Sequence, residues 1–326
     1  SYPVNMWLFR TNPIDGDGVQ MHILGEPVPF KACKLDIGGN SELCTYSCLN
    51  FKIENPPQIT YEINPFVYKD TLYVIGVDCP NDIYSVWRVD SPDRITRVIK
   101  TAALADFGKT VDTVPETVSQ INVNKIGKTK IVHDDAGNIY AEGWHNNIVH
   151  INVELLTIRL IPTRESPPSG VYGKYMFGGT YVHTVYNGQL YIVHFSPNPF
   201  DIGTRRVDDN GATHISLSAF SHLPKDVYPY DVVITNDIIY AYCCGCERAR
   251  FNLSDLSYAG SDAIDPYAAK TWIIGAGNMH VYHVTNQQIR SGRYRRENRI
   301  MFENMENGDK YEYMLPINDQ HWLVLA

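Results

Sequence analysis

Short apolar runs separated by polar turn residues dominate the chain, and one arrangement of them recurs. In "YNGQLYIV" (186–193) an Asn-Gly pair leads into an apolar strand carrying Tyr191. "KDTLYVI", "GNIYAE" and "NDIIYAY" place Tyr73, Tyr140 and Tyr240 in the same way, and "GNMHVYHV" and "NDQHWLVL" put His280 and Trp322 at the corresponding point. Asn, Asp and Gly tolerate left-handed backbone, so each such pair predicts a tight turn between two strands. Successive anchors lie 67, 51, 49, 40 and 42 residues apart. No long window rich in Ala, Leu, Glu and Lys interrupts the pattern, and Tyr and β-branched residues are abundant, so strands are expected throughout.

A second landmark follows the first four anchors: a basic residue or His, an apolar residue, then Asp or Asn. It reads Arg88-Val89-Asp90, His150-Ile151-Asn152, Arg206-Val207-Asp208 and Arg250-Phe251-Asn252, and a fresh short strand begins a few residues later. The unit is therefore strand, turn, anchor strand, variable loop, third strand, turn, fourth strand. One such meander cannot cover both of its faces, whereas radially stacked copies cover one another. A repeat of about 40–50 residues made only of strands predicts an all-β β-propeller, one domain over 1–326, with six blades favoured and seven the alternative. "NMWLFRTN" reads as a third strand and "NDQHWLVLA" as the start of a unit, so the N- and C-terminal strands are expected to close the ring in one blade. Residues 25–60 then supply the first strand of the Tyr73 blade or a seventh blade, and 101–129 is an insertion. A β-sandwich or two smaller all-β domains is the competing architecture.

"YVHTVYNGQLYIVHF" and "FVYKDTLYVIGVDCPNDIYSVWRVD" resemble blades of the kelch family of propellers. Tyr191 and Tyr73 match that family's tyrosine strand and Trp87 its later tryptophan, while its double glycine follows none of the anchors. The resemblance implies a protein-binding platform.

Charge and cysteine content narrow the partners. A net charge of −8 opposes general nucleic-acid binding, and no run of 18 apolar residues is present to insert in a membrane as a helix. Seven cysteines without regular spacing suit a reducing, cytoplasmic setting more than a disulfide framework, and "SYPVNMWLFR" lacks the layout of a secretory signal.

Candidate chemistry is confined to a few places. Cys243 and Cys246 have the spacing of a zinc knuckle, and Cys44 and Cys48 could supply a second pair; burial as small apolar side chains is the simpler role. "IDGDG" (Asp15, Asp17) lacks the glutamate that would complete a calcium loop, so it reads as a turn. His133 and His183 precede their anchors by seven and eight residues, as axial metal ligands would, but Phe66 and Val232 break the ring. "QIRSGRYRRENR" gathers Arg290, Arg293, Arg295, Arg296 and Arg299 around Tyr294 in an acidic chain, with Arg205, Arg206, Arg248 and Arg250 at comparable points of other units. Arginines interleaved with an aromatic grip acidic peptides, phosphates or single-stranded RNA, while a solvated edge strand is the plain alternative. No nucleophile elbow, phosphate loop, dinucleotide fingerprint or His-Glu-x-x-His motif occurs. The sequence thus favours a non-enzymatic interaction scaffold or structural component with a protein partner and no cofactor. A propeller hydrolase with an axial metal or carboxylate centre is the alternative, and RNA binding through the arginines a third.

Overall fold

The computed structural model describes the backbone of strands from Val4 to Leu325, and side chains chiefly within 64–76, 84–101, 129–142, 148–161, 181–194, 229–243, 247–268 and 273–314. The fold is all-β and propeller-like. It divides into two compact units, one of Ser1–Gly143, Ile148–Leu160 and Asn318–Ala326, the other of Trp144–Asn147 and Ile161–Ile317.

In the first unit, β1 (Val4–Thr11), β2 (Gln20–Met21), β3 (Val28–Ile37) and β4 (Cys44–Ile53) precede the first tyrosine anchor. A meander of β5 (Tyr61–Tyr68), β6 (Thr71–Asp78), β7 (Ile83–Ser91) and β8 (Arg94–Lys100) carries Tyr73. The insertion adds β9 (Glu116–Val118) beside β8, and β10 (Val123–Ile126) parallel to β5 with β2 at its other edge. The meander β11 (Ile131–His133), β12 (Asn138–Glu142), β13 (Asn147–Asn152) and β14 (Thr157–Pro162) carries Tyr140.

The second unit repeats the plan three times. Its meanders are β15 (Thr180–Tyr186) to β16 (Gln189–Pro197), β17 (Phe200–Val207) and β18 (Thr213–Ala219); then β19 (Pro229–Thr235), β20 (Ile238–Cys243), β21 (Glu247–Asn252) and β22 (Tyr258–Ala263); and finally β23 (Ile274–Ala276), β24 (Met279–Arg290), β25 (Arg293–Asn304) and β26 (Lys310–Met314). The last strand, β27 (Gln320–Leu325), belongs to the first unit and pairs with β1, giving the sheet order β27-β1-β3-β4.

That sheet corrects three sequence expectations. β1 is the second strand of its sheet, and residues 28–53 supply its third and fourth strands rather than the start of the Tyr73 blade or a blade of their own. Trp322, aligned above with the anchors, lies on a first strand opposite Phe9.

The two sequence landmarks prove to be one structural object. Arg88 stands directly opposite Tyr73, His150 opposite Tyr140, Arg206 opposite Tyr191 and Arg250 opposite Tyr240. Directly opposed residues are neighbours on one face of the sheet, and in one pair the rings touch: Tyr140 and His150 stack at 4.7 Å. The Asn or Asp that follows organises the next turn. Asn152 Oδ1 accepts from the backbone N–H of Glu154 (3.0 Å) and Leu155 (2.8 Å), and Asn304 Oδ1 accepts from that of Glu306 (2.9 Å). The first turns are equally specified: Lys69 and Asp70, Asn187 and Gly188, and Asn236 and Asp237 all have positive φ, the backbone of a two-residue hairpin whose twist matches its strands.

Neighbouring sheets meet through their first strands: β27 runs beside β5 in the first unit, and β15 beside β19 and β19 beside β23 in the second. The approach is close enough that a Cβ on Gly275 of β23 would overlap Val233 Cγ1 of β19. The ends of β5, β15 and β19 then reach the next sheet. Tyr68 Oη donates to Glu154 Oε1 (2.8 Å), Tyr186 Oη to Asp237 Oδ1 (2.8 Å), and Thr235 Oγ1 meets His280 Nε2 at 2.7 Å. Apolar residues of successive sheets fill the space between, with Phe66, Val74, Val86, Ile139 and Ile151 in one core and Val193, Val232, Ile239 and Phe251 in another.

Candidate functional site

One hairpin departs from the repeat. β24 and β25 are 12 residues each, whereas β23 has 3 and β26 has 5. β23 pairs only with Met279–Val281 and β26 only with Arg299–Glu303, so Asn286–Arg290 and Arg293–Arg296 pair with one another as a two-stranded ribbon. At 3.3 Å per residue it projects roughly 15 Å past the sheet. Ser291 and Gly292 turn it, with Gly292 at φ 70°. Arg290, Arg293, Arg295 and Arg296 are exposed, and so is Ile289 at 63%. Among the described residues, no carboxylate lies within ion-pair distance of Arg290, Arg293 or Arg296, whereas Arg295 pairs with Glu297 at 2.7 Å.

The ribbon's foot is rigidly held. A bulge places an extra residue on β25 between Arg296 and Arg299, which breaks the in–out alternation and buries Glu297, Asn298 and Arg299 consecutively. Arg299, grouped with the other arginines in the sequence, is thus buried at the ribbon's foot. Its Nη1 donates to Glu312 Oε1 (2.7 Å), its Nη2 to Asn286 O (2.9 Å), and Glu297 Oε2 sits 2.9 Å from its Nε. His283 and Asn298 add a cross-strand hydrogen bond at 2.7 Å, and Thr285 N–H donates to Tyr267 O (3.1 Å). Paired charges of this kind fix orientation more than they add stability.

Arg248 and Arg250 do not extend a basic face. Arg248 is buried, with Nη1 on Glu303 Oε2 (2.8 Å) and Nη2 on Glu303 Oε1 (3.2 Å), the fork geometry suited to a carboxylate. Arg250 pairs with Asp262 at 3.7 Å. Arg206 lies on β17, its Nη1 donating to Gln189 Oε1 (3.2 Å); Arg205 is on the same strand, and Tyr294 pairs in register with Gln288.

The Arg248 cluster joins two sheets and was not read from the sequence. Arg248 Nη1 also donates to Tyr242 Oη (3.4 Å), which donates to His280 Nδ1 (2.6 Å), leaving His280 Nε2–H for Thr235 Oγ1. Tyr282 Oη donates to Glu303 Oε2 (3.3 Å). Burial and the Arg248 charge push the His280 pKa down to about 3, so the imidazole is neutral through the physiological range. The paired guanidinium holds Glu303 below the usual carboxylate range despite burial, and burial drives the Tyr242 phenol well up. With His280 and Tyr242 enclosed, the cluster holds the two sheets together. His150 has a related environment in the first unit. Arg159 Nε donates to its Nδ1 (2.6 Å), its Nε2 meets Asn138 Oδ1 (2.7 Å), and burial with the Arg159 charge lowers its pKa to about 4.

Cys243 is a buried thiol on β20 whose Sγ donates to Ala241 O (3.5 Å). Cys44 and Cys48 lie on β4, Cys48 opposite Cys33; Cys246, Asp15 and Asp17 fall outside the described residues. His133 and His183 are on the first strands of their sheets but at different depths: the anchor partners there are Val132 and Thr184, so one histidine follows and the other precedes that position. Among the described residues, no group of three His, Cys, Asp or Glu is placed to hold a metal ion, and no helix is long and apolar enough to cross a membrane.

No protein-family model and no curated protein sequence matches the chain. Among solved structures, the crystal structure of BamB from Moraxella catarrhalis is similar over 94% of this chain and 76% of its own, at 7% identity and a TM-score of 0.37.

Proposed function

We propose that this protein is a non-enzymatic interaction scaffold whose β24–β25 ribbon grips an acidic segment of a protein partner. The observation that carries the reading is the ribbon itself: four exposed arginines and an exposed isoleucine on a projecting hairpin, in a chain of net charge −8. A foot locked by Arg299, Glu297 and Glu312 presents those arginines with little ordering cost on binding, which is how a preformed element gains affinity. Arginine suits carboxylate recognition because its fork makes two parallel hydrogen bonds.

In this reading the six sheets form one propeller domain over residues 1–326, with the pairing of β27 on β1 closing the ring. The sheets bearing Tyr73 and Tyr191 are its kelch-like blades, and Trp87, buried on β7 under Arg97, is the kelch-type tryptophan. The buried Cys243 thiol suits a reducing, cytoplasmic compartment.

The test is affinity capture of the tagged chain from its native cell, alongside a variant with Arg290→Glu, Arg293→Glu and Arg296→Glu. Stoichiometric protein partners retained by the wild type and lost by the variant support the reading. Partners indifferent to the substitutions, or recovery of RNA in their place, would contradict it.

A further inference from the structure

In an antiparallel four-stranded meander, the first-to-second and third-to-fourth turns lie at one end and the second-to-third turn lies at the other. In the second unit this segregates charge. Among the described residues, the end carrying the first and third turns of the last two sheets exposes Asp237, Asp255, Glu306 and Asp309 against one exposed cation, Lys310. Asp237 and Glu306 accept hydrogen bonds from Tyr186 and Asn278, which fix their position. The opposite end bears the arginine ribbon, with Glu247 as the exposed carboxylate of the neighbouring sheet.

We propose that the ribbon of one molecule docks on the acidic turn end of a second copy of this chain, giving head-to-tail self-association. This names one partner for the ribbon and rests on the reading that the ribbon binds an acidic protein surface. Charge complementarity selects this occupant: two ribbons repel each other and two acidic ends do likewise, so ribbon on acidic end is the arrangement that both charges favour. The contact is heterologous, and a heterologous contact propagates into rings or filaments unless its rotation closes. Ile289, exposed at 63% at the ribbon's tip, supplies apolar area to an otherwise polar interface.

The experiment is sedimentation of the 326-residue chain across a concentration series at low and at high salt. The expected result is a weight-average mass that climbs above 37.0 kDa with concentration at low salt and returns to that value at high salt. The ribbon variant Arg293→Glu/Arg296→Glu and the turn variant Glu306→Lys/Asp309→Lys should each stay monomeric alone, yet associate when mixed, because each then offers the other a complementary surface. That rescue also shows that both variants are folded. A wild type that remains at the monomer mass at every concentration overturns the proposal, as does self-association unchanged in both variants. Neither of those results touches capture of a different acidic partner, which the native-cell experiment reads separately.

Discussion

Replacing Arg248 with methionine should destabilise the protein by about 3–4 kcal/mol at pH 7. The guanidinium and the Glu303 carboxylate face each other through contacts of 2.8 and 3.2 Å, both side chains largely withdrawn from water. With charge centres about 4 Å apart and an effective dielectric of about 20, the lost attraction is about 4 kcal/mol. The variant has an escape, because the stranded carboxyl can take up a proton. From an ordinary value near 4.5, neutralising it at pH 7 costs about 1.4 kcal/mol per unit, or roughly 3.5 kcal/mol in all, which caps that part of the loss. In the variant the folded-state pKa of Glu303 lies above its unfolded value. The folded chain then binds the extra proton, and its stability falls as pH rises above about 4.5. The destabilisation relative to wild type should therefore shrink to roughly 1 kcal/mol at pH 5, since the cap falls with pH. Adding Glu303→Leu to Arg248→Met should recover much of the loss, because an apolar pair leaves no orphaned charge. Urea unfolding at the two pH values measures all three quantities. A loss below about 1 kcal/mol at pH 7, or an equal loss at both pH values, would refute the reasoning.

Two more predictions concern the spaces between sheets. His280 refuses a proton until about pH 3 when folded, whereas an unfolded imidazole accepts one near 6.5. Stability should thus fall as pH drops below 6.5, with this side chain contributing up to about 1.4 kcal/mol per unit, and His280→Gln should flatten the pH profile of the urea midpoint. An unchanged slope in the variant would show that the imidazole is not the group responsible. Gly275→Ala should cost about 1–3 kcal/mol, because its new methyl meets Val233 Cγ1 on the adjacent first strand. Val233→Ala in the same chain should be distinctly less harmful than the two single losses added together; strict additivity would mean that the two strands do not pack as described.

The repeat was legible because it is written in local chemistry. Positive-φ turns demand Asn, Asp or Gly, and the cross-strand Tyr–Arg or Tyr–His pair leaves both of its members in the sequence at regular intervals. Where that chemistry changes, the reading failed. In the last meander the pair is His280 opposite Glu303, with the charge reversed, so its second landmark went unseen. In the β27-β1-β3-β4 sheet the first strand comes from the far end of the chain, and no tyrosine anchor marks the second. Arg248 and Arg250 look alike in sequence and, two residues apart, share a strand face beside Asp262, yet it is Arg248 that is buried on Glu303 of the next sheet, and nothing local in the sequence marks that difference. The arginine stretch was visible as composition. That four of its residues ride on a projecting ribbon while Arg299 anchors it depends on where β26 ends and on one bulge, neither of which the composition records.

The claim that the ribbon is a protein-binding element is tested most directly by a photo-crosslinking residue placed at Ile289, exposed at the tip, with a control at the buried Ile300. After irradiation in the native cell, the account predicts discrete protein adducts at position 289, absent at 300 and suppressed when Arg293 and Arg296 are reversed to glutamate. Adducts to RNA alone, or protein adducts that persist after the charge reversal, would contradict it.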